Sequence, residues 1–125
     1  MKIKEFNIEL QKYSIPCKLF TPAEKVKQII IGVHGFAGDK ESSVLAALAE
    51  QLVKKNCALI CFDFPAHGKS STPDSFLRVE NCIQSLMEVV KYVKNHFPES
   101  KYGIFATSFG GYITLVCSEK LKDLG

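Results

Sequence analysis

The 125-residue sequence predicts an α/β fold with a mostly parallel sheet and flanking helices. Two observations support this prediction. Three short runs of apolar residues, the first of them rich in β-branched Ile and Val, have the composition of strands that are buried on both faces. A segment with apolar residues at helical spacing follows each run, which gives the order strand, helix, strand, helix, strand, helix. With 46% hydrophobic and 23% charged residues, the chain can bury the core of one domain.

The first two predicted strands differ in pattern from the later ones. Residues 4–10 alternate polar and apolar side chains, as in a half-exposed edge strand. Residues 15–20 form the second strand, with Pro16 near its start, where a missing N–H costs least. A turn at Thr21 and Pro22 follows. We therefore expect two strands of antiparallel type ahead of the parallel sheet.

The three buried strands and their helices occupy the rest of the chain. The strands are predicted over residues 29–33, 58–62 and 102–106. The first helix is predicted over residues 39–56 and the last over residues 110–124. A long helix lies between them after a polar loop. Its predicted apolar side consists of Val79, Cys82, Ile83, Leu86, Val90, Val93 and Phe97.

Charge and cysteine content exclude several classes of protein. The net charge is only +3 and the basic residues are interspersed with acids, so we expect no nucleic-acid partner. No stretch approaches the roughly 20 apolar residues of a membrane span. The five cysteines include no C-x-x-C pair, and the N-terminus lacks the apolar region of a signal peptide. These features predict reduced, buried thiols in a cytoplasmic protein, with no metal and no cofactor.

The strongest chemical signal is the turn around Ser108, between the last buried strand and its helix. A serine at such a sharp turn projects its hydroxyl, and the helix N-terminus favours developing negative charge. The residues two positions before and after it must be small, because the strand and helix backbones nearly touch. Ala106 and Gly110 meet that need, in the pattern G-x-S-x-G with Ala in place of the first Gly. The alternative is a serine that only caps the helix.

Two further loops follow the other buried strands, at the edge of the sheet where ligands bind in such folds. The first contains His34, Gly35 and Phe36 in a glycine-rich turn that lets a backbone N–H point into an oxyanion hole. A nucleotide-binding loop is the alternative, but the glycine spacing does not match. The second loop, residues 63–70, holds His67, either a general base or a residue that shapes the loop, and we favour the latter.

These three motifs together resemble the N-terminal half of an α/β-hydrolase, in particular its serine-aminopeptidase-like and monoacylglycerol-lipase-like branch. The resemblance covers about residues 3–122. It departs from the family pattern at Ala66 and Ala106, where the family usually has Gly. It implies that Ser108 is the nucleophile, and that the backbone N–H groups of Phe36 and Phe109 form the oxyanion hole.

The resemblance implies a further set of supporting residues and a reaction. The supporting residues of the elbow and the loops are Ala106, Gly110, Gly35 and His34. The implied reaction is hydrolysis of a small-molecule carboxylic ester, thioester or amide through an acyl-enzyme on Ser108.

The catalytic acid and histidine of the family are missing from this sequence. No His follows Ser108, and Asp123 lies within the predicted last helix, which Gly125 would cap. We therefore expect residues 1–125 to form the N-terminal part of a hydrolase domain, catalytically incomplete and open along residues 102–106. A C-terminal half or a protein partner would cover that edge. The alternatives are a non-catalytic binding or scaffold chain and one half of a split enzyme.

Overall fold

The computed structural model describes residues 1–124, so the predicted cap at Gly125 lies outside the described residues. The strands are β1 (Lys2–Glu9), β2 (Ser14–Thr21), β3 (Gln28–Val33), β4 (Cys57–Phe62) and β5 (Lys101–Ala106). The α-helices are α1 (Ser43–Lys54), α2 (Val79–His96) and α3 (Phe109–Leu124). A short 3-10 helix covers Asp74–Phe76.

The strands form one five-stranded sheet in the order β1-β2-β4-β3-β5. The β1–β2 and β2–β4 pairs are antiparallel, whereas β3 runs parallel to both β4 and β5. Val33, the last residue of β3, is opposite Phe62 of β4 and Ala106 of β5. The three parallel strands therefore end at the same level, and the three loops that follow them leave from the carboxyl-terminal end of these strands. The predicted α/β architecture is confirmed.

The core lies on both faces of the sheet, because successive residues of a strand point to opposite sides. In β4, Ala58, Ile60 and Phe62 belong to the larger apolar cluster, which includes buried residues of α2 and α3. Leu59 and Cys61 belong to the smaller cluster, which includes buried residues of α1. The strands of the parallel part thus carry continuous apolar sequences because helices cover both of their faces.

Helix α1 begins four residues later than the predicted start at residue 39, which was wrong. Ser42 is its N-cap, and the Ser42 hydroxyl accepts the backbone N–H of Leu45 at 3.1 Å. The Asp39 carboxylate instead accepts the N–H of Glu41 at 2.7 Å and stabilises a turn ahead of the helix. The chain leaves α1 through Asn56, which has a φ of 61°.

The buried side of α2 also differs in part from the prediction. Val79 is exposed in the first turn, whereas Ser85 and Val89, which the prediction left out, are buried. The Ser85 hydroxyl can be polar and buried because it lies 2.9 Å from the carbonyl O of Asn81 and 3.0 Å from the Tyr13 hydroxyl.

Strand β5 is an edge of the sheet, as the sequence predicted. Among the strands of residues 1–124 it pairs with β3 only, and its residues after Lys101 are half-buried rather than fully buried. On the adjoining helix α3, Tyr112, Leu115 and Val116 are exposed, and Leu115 is 75% exposed. Apolar side chains are therefore exposed on α3, the helix that follows the edge strand in the chain.

The cysteines are all unpaired thiols. Four of them are buried as predicted, and Cys57 is half-buried. Burial raises the pKa of Cys17, Cys61 and Cys82 to about 12. Among the described residues, no helix is long and apolar enough to cross a membrane.

Candidate active site

Ser108 lies at the junction of β5 and α3, one residue before the helix begins. Its backbone φ is 48°, in the left-handed region that L-residues rarely adopt, and its side chain is exposed. The turn is fixed on both sides by backbone hydrogen bonds. The Thr107 N–H donates to the carbonyl O of Val33 at 3.2 Å, and the Tyr112 N–H donates to the carbonyl O of Ser108 at 3.1 Å.

The glycine two residues after Ser108 is required by the close approach of α3 to the end of β3. A Cβ on Gly110 would lie 2.5 Å from the carbonyl O of His34 and 2.7 Å from that of Val33, which no side chain can tolerate. Gly111, the next residue, would meet nothing within 4 Å. The small residue predicted at position 110 is therefore a packing requirement. Ala106, on the other side of the elbow, is half-buried and its methyl group is accommodated.

The loop after β3 passes directly beside Ser108. A Cβ on Gly35 would lie 3.3 Å from the Cβ of Ser108, so glycine permits this approach. The turn that follows is closed by the Gly38 N–H, which donates to the carbonyl O of Gly35 at 3.0 Å. It carries Phe36, whose side chain is 68% exposed, and Ala37, whose φ is 63°.

The two residues predicted to supply oxyanion donors are neighbours in space. The rings of Phe36 and Phe109 pack edge to face, with their centroids 6.4 Å apart. Within residues 1–124, neither backbone N–H has a hydrogen-bond acceptor. The Phe109 N–H also belongs to the first turn of α3, where backbone N–H groups carry the partial positive charge of the helix.

Two buried histidines connect the loops after β3 and β4 in a reciprocal way. His34 lies on the first loop, and its Nε2 accepts the N–H of Phe64 on the second at 3.1 Å. His67 lies on the second loop, and its Nε2 accepts the N–H of Ala37 on the first at 2.9 Å. Each histidine thus joins the neighbouring loop, which agrees with the loop-shaping role favoured from the sequence.

The remaining nitrogen of each imidazole is also engaged. Nδ1 of His34 lies 2.6 Å from the carbonyl O of Gly35, and Nδ1 of His67 lies 3.0 Å from that of Pro65. Because Nε2 accepts a hydrogen bond in both rings, a ring proton of each histidine is assigned to Nδ1. Burial lowers the pKa of His34, although the hydrogen bond to Gly35 opposes this.

A buried ion pair beside these loops was not predicted. The Lys40 ammonium lies 2.9 Å from a carboxylate oxygen of Asp63, and both side chains are almost fully buried. The same carboxylate accepts the backbone N–H groups of Lys40 at 2.8 Å and Lys69 at 3.0 Å. Burial lowers the pKa of Lys40, but the hydrogen bond and charge of Asp63, with Glu41, outweigh it and raise the pKa overall. The pair therefore fixes the loops after β3 and β4 to each other.

The loop that contains Asp63 also accommodates the departure from the family pattern at Ala66. Ala66 has a φ of 62°, a conformation in which glycine is more usual. Gly68 has a φ of 53°, and a Cβ there would lie 2.5 Å from the Asp63 carboxylate. Among residues 1–124, no group of three or more His, Cys, Asp or Glu side chains is arranged to hold a metal ion.

The fold and these loops place the chain in the class of α/β-hydrolases, as its N-terminal portion. Est1E from Butyrivibrio proteoclasticus, solved with ferulic acid bound, superposes with a TM-score of 0.86 at 22% identity, over 94% of this chain and 48% of that chain. The Pyrococcus furiosus esterase Pf2001 gives 0.81 at 22% identity, over 97% and 48%. XC6422 from Xanthomonas campestris, an α/β serine hydrolase without a lid, gives 0.83 at 18% identity, over 97% and 57%. The chain thus spans about half the length of these structures.

A family assignment comes from the sequence itself. The model of the family described as serine aminopeptidase, S33, matches residues 24–123, and the chain belongs to this family. The predicted resemblance is therefore confirmed. Comparison with curated protein sequences finds no significant match.

Proposed function

We propose that this chain supplies the nucleophile and the oxyanion-binding part of a serine hydrolase site, with Ser108 as the nucleophile. The backbone of Ser108 carries the proposal. A serine that only caps a helix has an extended backbone, whereas Ser108 has a φ of 48°. An L-residue in this region costs roughly 1–2 kcal/mol, which capping does not require. A nucleophile elbow does require it, because the sharp turn directs the hydroxyl away from the sheet.

The oxyanion of the tetrahedral intermediate would bind to the backbone N–H groups of Phe36 and Phe109. Both groups lack a protein acceptor in the described chain, and their residues contact each other beside Ser108. The first turn of α3 adds favourable electrostatics for a negative charge at this position. Each such donor is worth about 10²–10³ in rate.

The general base must come from outside the described residues. His34 and His67 use both ring nitrogens to hold the loops. His96 is the last residue of α2, which a short connection joins to the start of β5, whereas Ser108 follows the end of β5. His96 therefore lies at the opposite end of the parallel strands from Ser108. We propose that a histidine and an acid supplied by a C-terminal half or a partner chain complete the site.

The proposed reaction is two-step hydrolysis of a small-molecule carboxylic ester, with thioesters and amides as related substrates. The Ser108 Oγ attacks the carbonyl carbon while its proton passes to the supplied histidine. Collapse of the tetrahedral intermediate breaks the bond to the leaving group, which takes that proton. Water, deprotonated by the same base, then attacks the acyl-enzyme and releases the acid and the free hydroxyl of Ser108. No cofactor takes part in this scheme.

The segment that supplies the base would also cover the open side of the sheet. Strand β5 has free pairing capacity along its outer edge, and α3, the helix that follows it, exposes Tyr112, Leu115 and Val116. The same surface supports the second candidate function, a non-catalytic chain that binds a protein partner through this edge. The free thiols support a cytoplasmic location for either form.

A fluorophosphonate probe separates the two candidates, because it reacts only with an activated serine. The protein is isolated from its own cells with its natural partner or continuation and then labelled, and the adduct is located by peptide mass spectrometry. We expect an adduct on Ser108 that is lost in Ser108→Ala and retained in Ser118→Ala, a change of an exposed serine on the helix that follows Ser108. Lack of labelling of the folded protein contradicts the hydrolase proposal and favours the binding function.

A further inference from the structure

His67 has no role in the chemistry proposed above, yet it is almost fully buried and holds a turn of the site. We propose that His67 is a positioning residue: its Nε2 holds the Ala37 N–H and thereby keeps the adjacent Phe36 N–H directed towards Ser108. This inference rests on the proposed function, since it gives a purpose to the Phe36 donor.

The turn at Phe36 and Ala37 needs an external hold. Ala37 has a φ of 63°, a conformation that costs an L-residue roughly 1–2 kcal/mol. Most of the Phe36 side chain is exposed, and its ring contacts within the described chain are those with Phe109 and His67. The Gly38–Gly35 hydrogen bond closes the turn but does not fix it to the rest of the protein.

His67 is the side chain from another loop that provides this hold. Within the described chain, no other side chain outside the loop after β3 donates to or accepts from the turn at residues 35–38. The His67 ring also packs edge to face against the Phe36 ring, with centroids 5.6 Å apart. One imidazole therefore fixes both the backbone and the side chain of the turn.

The position of His67 is itself fixed from three sides. The Nδ1 of His67 is hydrogen-bonded to the carbonyl O of Pro65, and the His67 backbone N–H donates to the carbonyl O of Phe64 at 3.1 Å. Its ring lies 5.0 Å from that of His34, which is bound to the Phe64 N–H. Through His67, the hydrogen-bonded loop after β4 restrains the turn after β3.

Two conservative variants separate the hydrogen bond to Ala37 from the other contacts. In His67→Gln, the amide oxygen can reach the place of Nε2 and accept the Ala37 N–H. In His67→Asn, the shorter amide reaches only the place of Nδ1, so the contact with Pro65 can persist while the Ala37 N–H loses its acceptor. Both variants keep a polar side chain in a polar position.

The first test is amide hydrogen exchange at Ala37, measured by NMR on the 125-residue chain, and it is independent of any activity. We expect protection in the wild type and in His67→Gln, and exchange at least about tenfold faster in His67→Asn. Equal protection of Ala37 in all three proteins overturns the inference. A loss of protection throughout the chain in His67→Asn also counts against it, because His67 would then stabilise the whole fold rather than this turn.

The second test is the rate at which the fluorophosphonate probe labels Ser108 in the protein isolated from its own cells. We expect His67→Asn to lower the maximal labelling rate by about 10- to 100-fold, with the apparent affinity for the probe unchanged, and His67→Gln to restore most of the rate. Equal maximal rates in wild type and His67→Asn overturn the inference alone. An unlabelled wild type overturns the proposed function instead, while the exchange measurement still decides whether His67 holds the turn.

Discussion

The adjacent glycines Gly110 and Gly111 provide a controlled test of the close contact that shapes the elbow. Both lie in the first turn of α3, so Gly→Ala gives each a similar gain of about 0.5–1 kcal/mol from helix propensity and chain entropy. They differ in their surroundings. A Cβ at position 110 would lie 2.5 and 2.7 Å from the carbonyl oxygens of His34 and Val33, whereas a Cβ at position 111 meets nothing within 4 Å.

The expected changes in stability have opposite signs. Overpacking costs typically about 1–3 kcal/mol, and contacts with backbone atoms place Gly110→Ala at the upper end. After the propensity gain, Gly110→Ala should lower the free energy of unfolding by about 2 kcal/mol. Gly111→Ala should raise it by about 0.5–1 kcal/mol. With a denaturant slope of about 2 kcal/mol/M, the urea midpoints should differ by about 1.5 M.

Urea unfolding followed by far-UV circular dichroism measures both variants against the wild type. The difference between the two alanine variants isolates the contact, since the propensity gain is common to both. If Gly110→Ala is as stable as Gly111→Ala, then α3 does not approach the end of β3 as closely as described, and the packing explanation for the small residue after the serine is refuted.

Three further predictions concern the loops and the thiols. Asp63→Asn should lower the free energy of unfolding in urea by about 3 kcal/mol, because it leaves the buried Lys40 ammonium without its main countercharge. A loss of less than about 0.5 kcal/mol would show that the ion pair does not stabilise the fold. Burial lowers the pKa of His34, so the folded state binds this proton more weakly than the unfolded state and stability should fall as the pH drops below about 6.5. The fall in stability between about pH 7.5 and 5.5 should be smaller in His34→Gln than in the wild type. An equal fall in both proteins would contradict the lowered pKa of His34. At about pH 8, a maleimide should react faster with the half-buried Cys57 than with the four buried thiols, which are Cys17, Cys61, Cys82 and Cys117. Rapid modification of all five cysteines in the folded protein would contradict the burial of these four.

The elements that the sequence predicted well are those with strong local patterns. The continuous apolar runs of β3 and β4 are typical of strands with both faces covered, and the structure covers both. The sharp turn at Ser108 was also predictable, because the small residues around it form a short pattern in the sequence. The physical reason for the small residue at position 110 lies in the fold, since the carbonyl oxygens of His34 and Val33 come close to where its Cβ would be.

The features that the sequence did not predict depend on residues far apart in the chain. Lys40 had no periodic or motif signal, and its partner Asp63 is 23 residues away. The reciprocal histidine contacts each join residues 30 apart. The start of α1 was misplaced for a local reason, because the Asp39 side chain stabilises a turn in competition with the helix.

The most direct test of the proposed role of Ser108 as the nucleophile is to trap the acyl-enzyme on this residue. The protein isolated from its own cells is mixed with a short-chain p-nitrophenyl ester, quenched in acid during the burst, and analysed by intact and peptide mass spectrometry. We predict the mass of a single added acyl group, located on Ser108, present in Ser118→Ala and absent in Ser108→Ala. Acylation at another residue, or ester hydrolysis that survives in Ser108→Ala, would contradict the role of Ser108 as nucleophile.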